Sequence, residues 1–81
     1  MKIRVKLFAA AQETIGRDEI TVELEEPANI AQLRLRLSQE YPKLAPLVSK
    51  SMFAIDNQYA QEDSPLSENA EVACIPPVSG G

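Results

Sequence analysis

Residues 2–9 alternate without a break: Ile3, Val5 and Leu7 fall on one side, and Lys2, Arg4, Lys6 and Phe8 on the other. Side chains that alternate with a period of two mark a half-buried strand. No other feature constrains the fold more. A strand with one wet face needs a sheet whose other face is covered by a second layer. Phe8 is the odd member, an aromatic on an otherwise basic side. Residues 10–15 then read as a short helical turn ended by Gly16. Residues 19–25 alternate again, with Ile20, Val22 and Leu24 inward and Glu19, Thr21 and Glu23 outward. Two such strands joined by a short connection predict an antiparallel hairpin.

Pro27 breaks the pattern, and a helix signal follows. Asn29 is a good N-cap, and Gln32 stands three residues on, where a capping box needs it. Ile30, Leu33 and Leu37 recur at helical spacing, with Leu44 and Leu47 beyond them. Arg34 and Arg36 point away from that stripe. The helix is predicted over 30–40, stopping before Pro42 because the residue before proline avoids helical geometry. Residues 52–56 and 58–61 read as short strands around a turn at Asp56-Asn57. The run Asp63-Ser64-Pro65-Leu66 is turn chemistry. The last strand spans 70–75, with Ala70, Val72 and Cys74 on one face and Glu71, Ala73 and Ile75 on the other. Pro76-Pro77 ends it. The expected architecture is α+β: a mixed sheet of four to five strands with one main helix across one face. The first and last strands lie parallel at its centre. A domain of residues 1–75 carries a tail of residues 76–81.

Composition removes whole classes of function. The chain has 81 residues, one cysteine and no histidine. It has the length of one small domain. A lone cysteine forms no internal disulfide. Without histidine there is no metal-ligand cluster, no cofactor site of that kind and no nucleophile–histidine pair. Four thiolates for an iron–sulfur cluster are also lacking. The net charge of -4, with acids at Asp18, Glu19, Glu23, Glu25 and Glu26, argues against nucleic acid as a partner. No apolar run is long enough to span a membrane, and no signal segment opens the chain. A cytoplasmic location is the expectation. Cys74 alternates with Val72, so it is expected to pack in the core as a small apolar residue.

Chemistry is left to the ending Pro76, Pro77, Val78, Ser79, Gly80, Gly81. The two prolines favour a stiff, extended root. Six residues at a maximum of about 3.5 Å each reach roughly 20 Å. Glycine has no Cβ, so Gly80 and Gly81 make a strip thin enough to thread a channel. The group delivered is the terminal carboxylate. Activated as an acyl-adenylate and attacked by a sulfur donor, it becomes a thiocarboxylate, a soft nucleophile able to hand sulfur on. The protein is then a covalent carrier, and the catalytic side chains belong to its partners.

The segment Val5-Lys6-Leu7-Phe8-Ala9 followed by Gly16, the middle Asn57-Gln58-Tyr59, the pair Pro65-Leu66 and the ending PPVSGG resemble the small subunit of molybdopterin synthase. The resemblance runs from end to end and implies a β-grasp, ubiquitin-like fold. It implies that Gly81 is adenylated with ATP by an enzyme of the ubiquitin-activating kind and then thiocarboxylated from a sulfur donor. Val78, Ser79 and Gly80 would thread into a large subunit, in an assembly of two small and two large chains. There the sulfur would go to a cyclic pyranopterin monophosphate. It further implies a partner-binding surface at Phe8, Tyr59 and Ile75, continued by Pro76 and Pro77. The alternation alone already puts Phe8 and Ile75 on outer faces. Two positions depart from the family's habit. Gln12 stands where an arginine is frequent, and Cys74-Ile75 where two aromatics are frequent. A thiamine-type sulfur carrier and a ubiquitin-like protein modifier are the alternative readings of the same tail.

Overall fold

In the computed structural model, which describes residues 1–77, burial follows the alternation. Strand β1 (Lys2–Leu7) alternates exposed and buried residues along its whole length. Ile3, Val5 and Leu7 are essentially inaccessible. Strand β2 (Glu19–Glu23) pairs with it antiparallel, Ile3 opposite Val22 and Val5 opposite Ile20. Between them lies helix α1 (Ala9–Ile15), closed by Gly16 at φ 80°, whose N–H donates to the Gln12 carbonyl at 2.8 Å. A left-handed residue at this position favours glycine. Both strands are shorter than their sequence pattern. Phe8 caps α1 and Ala9 takes φ 52°, which ends β1 at Leu7.

Helix α2 (Ile30–Glu40) runs over the predicted residues. Its capping box is complete: the Gln32 N–H donates to Asn29 Oδ1 at 3.0 Å, and the Asn29 N–H to Gln32 Oε1 at 2.8 Å. Ile30, Leu33 and Leu37 turn inward as one buried stripe. The stretch beyond Pro42 is more ordered than the sequence suggests. A 3₁₀ turn (Pro42–Leu44) leads into a short helix α3 (Ala45–Val48). Each starts with proline in its first turn, where a missing N–H costs nothing. Leu44 and Val48 are buried and close one end of the core.

Strands β3 (Met52–Ile55) and β4 (Gln58–Tyr59) form a hairpin around Asp56 and Asn57. Both turn residues have positive φ, 50° and 68°, the geometry that matches the twist of a two-residue hairpin. β5 (Val72–Ile75) is two residues shorter than expected. It lies parallel to β1 and antiparallel to β3, so the sheet order is β2-β1-β5-β3-β4. The predicted parallel centre is therefore present, in a mixed sheet of five strands. Phe53, Val72 and Cys74 join Ile3, Val5, Leu7 and the α2 stripe in a single core.

Arg34 departs from its expected role on the outer helix face. Its guanidinium lies 5.0 Å from the Phe53 ring centroid. Nη1 donates to the Val48 carbonyl at 2.6 Å and to the Ser51 carbonyl at 2.8 Å, and Nε donates to Glu62 Oε1 at 3.1 Å. An arginine stem packs well against apolar surface while its planar head makes several bonds. Arg34 therefore ties α2 to the entry of β3.

Candidate functional site

The outer face of the sheet collects what the core does not take. Lys6 of β1 stands beside Ala73 of β5, Ala73 beside Ala54 of β3, and Ala54 beside Tyr59 of β4. Residues opposite one another in register share a face. Two alanines in the middle leave a hollow, because larger neighbours rise around them. The hollow has a volume of about 270 Å³ and is lined by Phe8, Ala54, Asn57, Tyr59, Ala73 and Ile75. Phe8 is 46% exposed and Tyr59 69% exposed, while Ile75 is half-buried.

Phe8, Tyr59 and Ile75, for which the resemblance implies a partner-binding role, thus line one hollow. Phe8 arrives from the end of β1, Tyr59 from the hairpin, and Ile75 from the last residue of β5. Clustered exposed apolar side chains on a small domain mark a binding surface. Four members were missed, one of them Asn57 at the hairpin turn. Met52, 54% exposed, sits opposite Ile75 and extends the patch. Ala54 and Ala73 form the floor. Their signal was present, since the alternation in 52–55 puts Met52 and Ala54 opposite to Phe53. Lys6 and Glu71 make a salt bridge of 3.8 Å at the margin, the kind of polar rim a docking patch carries.

The tail root differs from expectation in one respect. Pro76 is buried and Pro77 exposed. Pro76 therefore packs into the body of the domain, whereas Pro77 is accessible. Val78, Ser79, Gly80 and Gly81 lie outside the described residues.

Cys74 sits in the core, as its alternation predicted. Burial pushes its thiol up, against smaller opposing effects from a hydrogen bond with Ser51 and the charge of Arg34. A raised pKa keeps it protonated and unreactive. No group of three or more His, Cys, Asp or Glu side chains suited to a metal occurs among the described residues. No helix among them is long and apolar enough to cross a membrane.

A five-stranded mixed sheet with one main helix on one face and an exposed apolar patch on the other defines a ubiquitin-like β-grasp domain. The chain belongs to the ThiS family, whose model matches residues 5–81. The molybdopterin synthase sulfur carrier subunit of Chlamydomonas reinhardtii is 35% identical over 100% of both chains. That of Dictyostelium discoideum is 33% identical over 99% of this chain and 96% of its own. The fold is shared with the crystal structure of SAMP1 from Haloferax volcanii, with a TM-score of 0.85, 22% identity and full coverage of both chains.

Proposed function

We propose that this chain is the sulfur-carrier subunit of a molybdopterin synthase. The observation that carries the reading is the apolar patch at the root of the tail. Ile75 belongs to the patch and is followed at once by the buried Pro76, so docking and aiming are coupled. The names of the relatives support the same role.

In this reading the Gly81 carboxylate attacks the α-phosphorus of ATP on an activating enzyme and releases pyrophosphate. Sulfide-level sulfur from a donor then attacks the acyl carbon, the bond to AMP breaks, and the thiocarboxylate is left. The large subunit binds the Phe8–Met52–Tyr59–Ile75 patch, and Val78, Ser79 and Gly80 enter its catalytic pocket. Two such carriers in turn each pass one sulfur to a cyclic pyranopterin monophosphate, water returning each Gly81 acyl group to the carboxylate, and the two sulfurs make the dithiolene of molybdopterin. No side chain of this domain takes a chemical part, consistent with the absence of histidine and the buried state of the lone cysteine. The location is cytoplasmic and the assembly pairs two small with two large subunits.

Intact-mass analysis of the protein from its native host tests the reading. The expected result is a single species with one terminal oxygen replaced by sulfur. Deleting Gly81 should remove that species and abolish sulfur transfer without changing the melting temperature. Full transfer by the deletion variant would overturn the carrier role.

A further inference from the structure

The sheet has two edges, and they are not alike. β4 is only two residues long, while β2 offers five. Around β2 the hydrogen bonds among the described residues show which backbone groups bond to β1 and which point away from it. The Leu24 N–H donates to the Met1 carbonyl at 2.9 Å, and the Leu7 N–H to the Asp18 carbonyl at 2.9 Å. With the register of Val22 on Ile3 and Ile20 on Val5, the even-numbered residues of β2 bond to β1. Antiparallel ladders alternate, so the N–H and C=O of Glu19, Thr21 and Glu23 point off the edge. An open row of such groups is a template for another strand.

The side chains beside that row specify what can fill it. On the outer face, β1 presents Lys2, Arg4 and Lys6, and β2 answers with Glu23, Thr21 and Glu19 directly opposite. Opposite charges across strands stabilise and like charges destabilise. The alternation of basic and acidic strands continues only if the next strand is basic. A second copy of β2 would set glutamate against glutamate. On the helix face, the C-terminal end of β2 opens on a groove of about 400 Å³. Its apolar lining includes Leu24, Ala28 and Leu35, and its charged lining is Glu25, Glu26 and Arg36. Leu35 is 60% exposed and faces nothing in the core.

We propose that the β2 edge is a second docking site, which adds an extended segment of a partner protein as a sixth strand. The segment alternates basic side chains over Glu19 and Glu23 with apolar side chains toward the Leu24–Leu35 groove. Backbone bonds to Glu19, Thr21 and Glu23 hold it, and the alternate side chains select it. The site is separated by β1 from β5 and β3, where the Met52–Ile75 patch is centred. Phe8 of the patch and Glu19 of the edge line one hollow, so the two sites adjoin at that end and diverge toward Glu23. This inference stands whether or not the carrier reading holds.

A synthetic peptide of alternating lysine and valine tests it against a peptide of the same composition in two blocks. Both are titrated into the isotopically labelled full chain and followed by amide signals and hydrogen exchange. The alternating peptide is expected to bind at least about tenfold more tightly. It should slow exchange at Thr21 and Glu23 and shift Leu35. Thr21→Pro removes one edge donor while leaving the bonds to β1, and should erase the difference between the peptides. An alternating peptide N-methylated on its bonding face makes the same test without altering the protein. Equal binding of both peptides, or undiminished binding of the methylated one, would overturn the proposal and reveal general charge attraction. Shifts centred on Phe8 and Tyr59 would also overturn it.

Discussion

The two faces of this sheet are built from the same alternating segments and have opposite fates. The inner face holds Ile3, Val5, Leu7, Phe53, Val72 and Cys74, all at 1% exposure or less. The outer face holds Phe8, Met52, Tyr59 and Ile75, accessible around a floor of two alanines. Chemical character does not separate them, since each has a phenylalanine. Position in the pleat does, together with the presence of a helix on one side only. A large apolar residue on the inner face maintains the fold. The same residue on the outer face is available to a partner.

Substitutions on the two faces should separate cleanly. The largest effect is expected for Phe53→Ala, which leaves a cavity under Arg34 and should cost about 3–5 kcal/mol of stability. A thermal melt checks it, and a drop of only a few degrees would mean that the core closes over the gap. The buried Cys74 thiol comes next. Its raised pKa and its burial should slow alkylation by iodoacetamide on the order of 100-fold relative to the unfolded chain. Mass spectrometry over time reads that rate, and fast labelling in the native state would place Cys74 on the wrong face. Phe8→Ala should weaken large-subunit binding by about 2 kcal/mol while barely moving the melting temperature. Affinity and melting measured on the same variant decide, and a large loss of stability would erase the distinction between the faces.

The smallest effect concerns Glu62. Its hydrogen bonds to Arg34, more than the Coulombic attraction, hold its carboxyl below the ordinary 4.5. The folded state therefore gains stability from this group above that pH and loses it as pH falls through the lowered value. Glu62 is 58% exposed, so solvent screens the pair and the gain is small. Glu62→Gln should lower the melting temperature slightly near neutrality and flatten slightly its fall below pH 4.5. A variant that melts much earlier at neutral pH would give this pair a larger share in holding β3.

Much of this was readable before any coordinates. Period-two alternation placed β1, β2 and β5 and the face of every residue in them. Asn29 and Gln32 marked the start of α2, because a capping box is a local device with a local signature. The segment 42–48 was not readable in the same way. Its two prolines look like breakers, and only the buried positions of Leu44 and Val48 show that each instead begins a turn. Tyr59 was placed in the patch by resemblance alone. Its neighbours Ala54 and Ala73 come from strands joined through the sheet order, which no local pattern encodes. Arg34 was misjudged for a related reason. Helical spacing put it off the apolar stripe, but the carbonyls it meets belong to a segment 14 and 17 residues away.

The central place of β5 has a consequence for how the molecule comes into being. Val72 lies beside Val5, and Cys74 beside both Leu7 and Phe53. Remove β5 and the sheet falls into two separate hairpins, β1 with β2 and β3 with β4. During synthesis the ribosome would release those hairpins first, and neither is stable alone. The strand that joins them is the last of the five to be made. Folding must then wait for it and close in one cooperative step across the longest separations in the described chain, which are slow contacts to form. A nascent chain stalled before residue 72 would be two loose ribbons with their inner faces open, an aggregation hazard rather than a smaller working domain.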